Sequence, residues 1–209
     1  MRDLSLHLMD LAQNSIQSGA RQVGISLKLD GEGRLALTIR DDGCGMSPEI
    51  LRQARSPFGT SRATRKVGMG IPLAENNAAA TGGCLDIKSA PGQGTELTAA
   101  YYTGHIDCPP LGNLGETMAA LILANPEGPE FNITLQSPRG RETLDTREIR
   151  QALKDVPLNS PEVIAWIYCF KHAGLTAFVT DTKDRAELFI EFCNGYGGQA
   201  EVDHVVQVW

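Results

Sequence analysis

Asp10 and Asn14 stand four residues apart in the stretch from Leu4 to Ala20, LSLHLMDLAQNSIQSGA. At helical spacing they are neighbours, so a carboxylate and an amide point the same way. A carboxylate can take a proton, and an amide both donates and accepts hydrogen bonds. His7 and Gln17 share that stripe, while Leu4, Leu8, Leu11 and Ser15 form another that can pack. The polar stripe lacks the Lys and Glu pairs of an ordinary solvated face, so a surface stripe and a site are both open readings from the helix alone.

Three glycine-bearing stretches favour a site. Asp41-Asp42-Gly43-Cys44-Gly45-Met46 puts an acid before two glycines, which let backbone come close to another group or take positive φ. Ser56 to Lys66, SPFGTSRATRK, is small, polar and basic, with Phe58 as an apolar anchor. It runs into Gly68-Met69-Gly70 and then a helix, whose first N–H groups suit an anion, so a phosphate lid is expected. Gly92-Gln93-Gly94-Thr95 is the third. Each has a plainer reading as a loop or turn.

The elements that must position these residues are legible. The first helix stops at Gly19. Val23–Leu29 and Leu35–Arg40 alternate around the turn Asp30-Gly31-Glu32-Gly33 and form a hairpin. Ser47 and Pro48 start a helix that ends near Arg55. A third helix covers Ile71 to Thr81 and is closed by Gly82-Gly83. Cys84–Ser89 and Thr95–Tyr102 make a second hairpin. This order gives an α+β layer, with helices on one side of a largely antiparallel sheet.

The bulk properties narrow the partners. The 209 residues are 42% hydrophobic and 21% charged, as in ordinary globular proteins. Net charge −6 argues against broad nucleic-acid binding. No apolar run is long enough to span a bilayer, and MRDLSLHLMD is not a signal peptide. Five scattered cysteines without a C-x-x-C pair read as reduced thiols of a cytoplasmic protein. Four isolated histidines give no structural metal pattern.

With these pieces in this order, the chain resembles the GHKL ATPase superfamily. Its members include histidine kinase ATP-binding domains, MutL, type II topoisomerase ATPase domains, Hsp90 and the anti-sigma-factor serine kinases. The resemblance covers about Leu4 to Tyr102 and implies a Bergerat-type two-layer α/β sandwich that binds ATP and Mg²⁺. It makes Asn14 the Mg²⁺ ligand and puts Asp10 where hydrolytic members have a Glu general base. Asp41 takes the adenine-reading position. A carboxylate accepts but does not donate, which favours the adenine amino group. Met46 then lines the adenine slot, and Gly43 and Gly45 of the same glycine box are expected to bind the nucleotide. Ser61 and Arg62 fall in a stretch similar to the phenylalanine box of histidine kinases, and Lys66, Gly68, Met69 and Gly70 in one similar to their second glycine box, whose glycines face the phosphates. All six are expected to bind the nucleotide, and Thr95 joins the adenine network.

The chain departs from the family pattern at several places. Position 10 is Asp, one methylene shorter than Glu, so slow hydrolysis is expected. Lys66 replaces a first Gly. Gln17 and Ser18 stand where kinases often have Lys and Tyr, and Asn14 to Ala20 looks more like MutL. No histidine-box sequence is present, and the nucleotide region starts at the first residues, so a stand-alone module is expected rather than a self-contained histidine kinase.

Residues 1–103 are expected to form the ATP-binding domain, and 104–209 a small α+β partner or regulatory region. Gly104 to Gly115 marks the boundary. Beyond it a helix at Glu116–Ala124, a strand at Phe131–Gln136 with a short return strand, and a helix from Asp145 to Lys154 are expected. A helix from Ser160, a strand at Leu175–Thr180 and a strand at Val202–Val208 follow. The functional expectation is a slow ATPase whose lid switches contact with a protein partner. A kinase acting in trans on a His or Ser of another protein, and a non-hydrolysing ATP sensor, stay open.

Overall fold

Asp3 caps the first helix by accepting the Leu6 amide at 2.9 Å, and Gly19 ends it with φ +75°. The computed structural model describes residues 3–56, 69–153, 157–160 and 163. Helix α1 spans Leu4–Gln17. Strands β1 (Gln22–Leu29) and β2 (Arg34–Asp41) pair antiparallel, as the alternation predicted. Asp30 closes their turn by accepting the amides of Glu32 and Arg34.

Helix α2 (Pro48–Arg55) has Ser47 as cap and Pro48 at its start, and α3 covers Gly70–Ala80. Arg55 pairs with Glu75, which ties α2 to α3. Strands β3 (Cys84–Ser89) and β4 (Thr95–Tyr102) match their predicted bounds. Next come α4 (Leu114–Ala124), β5 (Glu130–Ser137), β6 (Gly140–Asp145) and α5 (Thr146–Leu153). Helix α4 starts earlier than predicted, because Asn113 caps it by accepting the Glu116 amide.

The six strands form one open sheet in the order β3-β4-β2-β1-β5-β6. All neighbours are antiparallel except β1 and β5. The fold is therefore α+β with a mixed, mostly antiparallel sheet. Alternate residues of the strands, such as Ile25, Leu37, Leu97 and Ile133, are buried against Leu8, Leu11, Ile71 and Ala74 of the helices. The sheet and its core run on across residue 104: β5 pairs in parallel with β1, and Met118 and Ile122 of α4 join the same core.

The expected lid residues Phe58, Ser61, Arg62, Arg65, Lys66 and Gly68 lie outside the described residues. So do most of the helix expected from Ser160 and the strands expected at Leu175–Thr180 and Val202–Val208.

Candidate functional site

The end of β2 carries the central acid. Asp41 is 9% exposed, so its carboxylate needs donors. Ser15, on the buried stripe of α1, donates its hydroxyl to Asp41 Oδ2 at 2.7 Å. The Gly43 amide donates to Oδ1 at 3.0 Å. Each carboxylate oxygen still has a lone pair to offer. The neighbouring acid does something else: Asp42 Oδ1 accepts the amides of Arg21 and Gln22 at the start of β1. Those bonds, Gln22's first, hold its carboxyl below the usual carboxylate range.

Asp41 faces a cavity of about 230 Å³ between α1, α3 and the sheet. Asn14, Ser15, Gln17 and Ser18 line it from α1 and the end of that helix. Ile39 and Leu97 give an apolar floor, and Ile50 and Ile71 apolar walls. Leu11, Cys44, Gly45, Met46 and Thr95 complete it. An apolar slot with a few convergent polar groups is the usual form of a small-molecule site. Five residues named from the sequence thus share one cavity: Asn14, Asp41, Gly45, Met46 and Thr95.

Gly43 is absent from the lining. Its open side is filled by Ser18, whose Oγ lies 1.8 Å from where a Cβ would be. Gly45 (φ +64°) and Gly94 (φ +75°) also meet the chain itself. A Cβ on Gly45 would lie 1.9 Å from the Ala90 carbonyl oxygen, and one on Gly94 1.9 Å from that of Asp41. The close approaches that these glycines permit join the loop after β2 to the β3–β4 turn.

Asn14 is half-buried, and its Nδ2 is a buried donor with no partner among the described residues. Buried polar atoms are normally satisfied, so an unpaired amide in a cavity wall fits a ligand-contacting role. Among the described residues no cluster of three His, Cys, Asp or Glu side chains forms a metal cage. A single side-chain oxygen, such as that of the Asn14 amide, is compatible with Mg²⁺, which keeps several waters and takes phosphate oxygens for its other positions.

Asp10 sits one turn before Asn14, half-buried, with its Oδ2 against Gly70 at the start of α3. Met69, just before Gly70, is 62% exposed. His7 diverges from the polar stripe: it is fully buried, and its Nε2 lies 2.8 Å from Asn77 Nδ2 of α3. The amide nitrogen can only donate, so this ring nitrogen is the acceptor of a neutral imidazole. Burial lowers its pKa. His7 therefore braces α1 against α3.

Sequence reasoning missed Ser15, Ser18 and Cys44 as site residues. A serine in an otherwise leucine stripe was the available signal for Ser15, since a buried hydroxyl needs a partner.

The family model described as histidine kinase-, DNA gyrase B-, and HSP90-like ATPase matches residues 2–102. The sensor histidine kinase ZraS of Klebsiella oxytoca is 29% identical over 93 residues, which are 44% of this chain and 20% of that protein. The DNA mismatch repair protein MutL of Rhizorhabdus wittichii is 43% identical over 56 residues, 26% of this chain and 9% of that protein. The chain thus spans a fifth or less of these relatives' length. The solved Aquifex aeolicus MutL ATPase domain complexed with ADP aligns with a TM-score of 0.45 and 15% identity, covering 74% of this chain and 70% of that one. Residues 2–102 are thus a histidine kinase-, DNA gyrase B- and HSP90-like ATPase domain, of the GHKL superfamily.

Proposed function

We propose that this chain binds Mg-ATP in the cavity at the end of β2 and hydrolyses it slowly, as a switch for contact with a protein partner. The observation that carries the reading is the convergence of Asn14, Asp41, Met46 and Thr95 on one cavity, although they come from three separate parts of the chain. Asp41 reads the adenine amino group with a carboxylate that Ser15 and Gly43 hold in place. Met46, Ile39 and Leu97 take the ring. Asn14 holds the Mg²⁺, which neutralises phosphate charge when bound. Asp10 takes the proton of the attacking water, and its hydroxide oxygen displaces ADP from the γ-phosphorus. Ser61, Arg62, Lys66 and Gly68, outside the described residues, are assigned to the phosphates by their sequence pattern, with Met69 and Gly70. The partner is assigned to residues beyond 104, and the compartment to the cytoplasm. Among the described residues no helix is long and apolar enough to cross a membrane.

A second reading, phosphoryl transfer to a His or Ser of another protein, is favoured by the match to sensor kinases. One experiment separates the two. The purified protein is given γ-labelled ATP and Mg²⁺, with and without host cell extract, and bound nucleotide, free phosphate and labelled protein are all followed. Free phosphate from the pure protein supports the ATPase. Label on an extract protein supports the kinase. Nucleotide bound without either product supports a sensor.

A further inference from the structure

Three groups converge on the hydroxyl of Ser89, at the end of β3. The Met46 amide donates to Ser89 Oγ at 2.8 Å. The Gly94 carbonyl oxygen lies 3.0 Å from it. Thr95 Oγ1 lies 2.9 Å from it. A hydroxyl has one proton and two lone pairs. A carbonyl only accepts, so the Ser89 proton goes to Gly94. One lone pair of Ser89 takes the Met46 amide. The other is then left for the Thr95 proton. In the opposite sense Ser89 would donate to Thr95 and face the Gly94 carbonyl with bare lone pairs, an uncompensated contact.

Thr95 lines the cavity. It is also the register partner of Ser89 on one side and of Asp41 on the other. Ser89, Thr95 and Asp41 thus form one row across three strands, in which side chains of one face are adjacent.

We propose that Ser89 is a positioning residue that sets nucleobase preference: it draws the Thr95 proton out of the cavity, so that Thr95 and Asp41 both present only lone pairs there. This rests on the nucleotide reading above. Two acceptors side by side suit an exocyclic amine. They reject the carbonyl oxygen that guanine carries at the same place. Without Ser89 the Thr95 hydroxyl is free to turn and donate, and the bias against guanine weakens. A site whose polar groups are committed in advance discriminates more strongly than one that adapts.

The test measures binding of non-hydrolysable ATP and GTP analogues with Mg²⁺ to the full chain. Wild type is expected to prefer the ATP analogue. Ser89→Ala is expected to lower the ATP-to-GTP affinity ratio about tenfold, the worth of one hydrogen bond gained or lost. Ser89→Thr, which keeps the hydroxyl, is expected to retain the wild-type ratio. Thr95→Val is expected to weaken ATP without improving GTP, and adding Ser89→Ala to it should leave the ratio where Thr95→Val put it. The ratio is informative even where Ser89→Ala loosens the loop, because general loosening weakens both nucleotides alike. An equal loss of both nucleotides in Ser89→Ala would overturn the proposal. So would a ratio shift that persists in the Thr95→Val background. Wild-type protein that binds neither nucleotide would overturn the ATP reading and, with it, this one.

Discussion

The carboxylate of Asp10 fills the place where a side chain on Gly70 would begin: a Cβ built there lies 2.2 Å from Asp10 Oδ2. The first residue of α3 is thereby shaped to the acid on α1, which makes Gly70 a spacer for the proposed base as well as a helix start. Gly70→Ala is expected to displace the Asp10 carboxylate and slow phosphate release about tenfold or more, as small misplacements of a reacting group do. Its melting temperature is expected to change little, since Ala gains about 1 kcal/mol over Gly in helix propensity. Steady-state phosphate release and a thermal melt check both. Unchanged release would detach Gly70 from Asp10's role.

Asp41 depends on Ser15. Ser15→Ala removes one of the two donors to a nearly buried carboxylate, and a bond to a charged group is worth about 1.5–3 kcal/mol. Titration with a fluorescent ATP analogue is expected to show about tenfold weaker binding. Asp41→Asn is expected to weaken it further, because an amide can turn a donor toward the base amino group. Equal affinity in wild type and Asp41→Asn would count against adenine recognition at this acid.

The two glycines of the β3–β4 turn separate strain from steric conflict. Gly92 and Gly94 have nearly the same φ, +73° and +75°. A Cβ on Gly92 meets nothing within 4 Å, whereas one on Gly94 runs into the Asp41 backbone. Gly92→Ala is expected to cost about 1–2 kcal/mol of stability, the left-handed penalty alone. Gly94→Ala is expected to cost more than about 4 kcal/mol and to abolish nucleotide binding. Chemical denaturation of the two variants measures the difference.

His7 sets a pH dependence. Burial lowers its pKa, so the folded chain binds this proton more weakly than the unfolded chain. Stability rises with pH wherever the unfolded state binds more protons. The His7 contribution is therefore full above its unfolded pKa of about 6.5 and is lost as pH falls toward the lower folded value. The melting temperature of wild type relative to His7→Gln is expected to drop between about pH 7.5 and 5.5. A constant difference would remove His7 as the titrating group.

Local pattern made most elements legible before any coordinates. Alternation and flanking glycines bounded β3 and β4, and Ser47-Pro48 marked the start of α2. Non-local pairing was not legible. Nothing near Phe131 says that β5 lies parallel to β1, or that β4 pairs with β2 and so puts Thr95 beside Asp41. At the site, motif spacing found Asp41, Asn14 and Thr95, but not the hydroxyls that set them. Ser15 reads as packing, and Ser89 as a strand end, until the register is known. The glycine spacing signals a close approach of backbone to another group, but only the fold shows which: Ser18 at Gly43, Ala90 at Gly45 and Asp41 at Gly94.

The most direct test follows nucleotide occupancy and phosphate release on the same samples of wild type and Asp10→Asn, with ATP and Mg²⁺. Wild type is expected to bind ATP and release phosphate slowly. Asp10→Asn is expected to bind ATP with similar affinity and release none above background. Phosphate release by Asp10→Asn at the wild-type rate would contradict Asp10 as the base, and no occupancy in wild type would contradict ATP binding at this cavity.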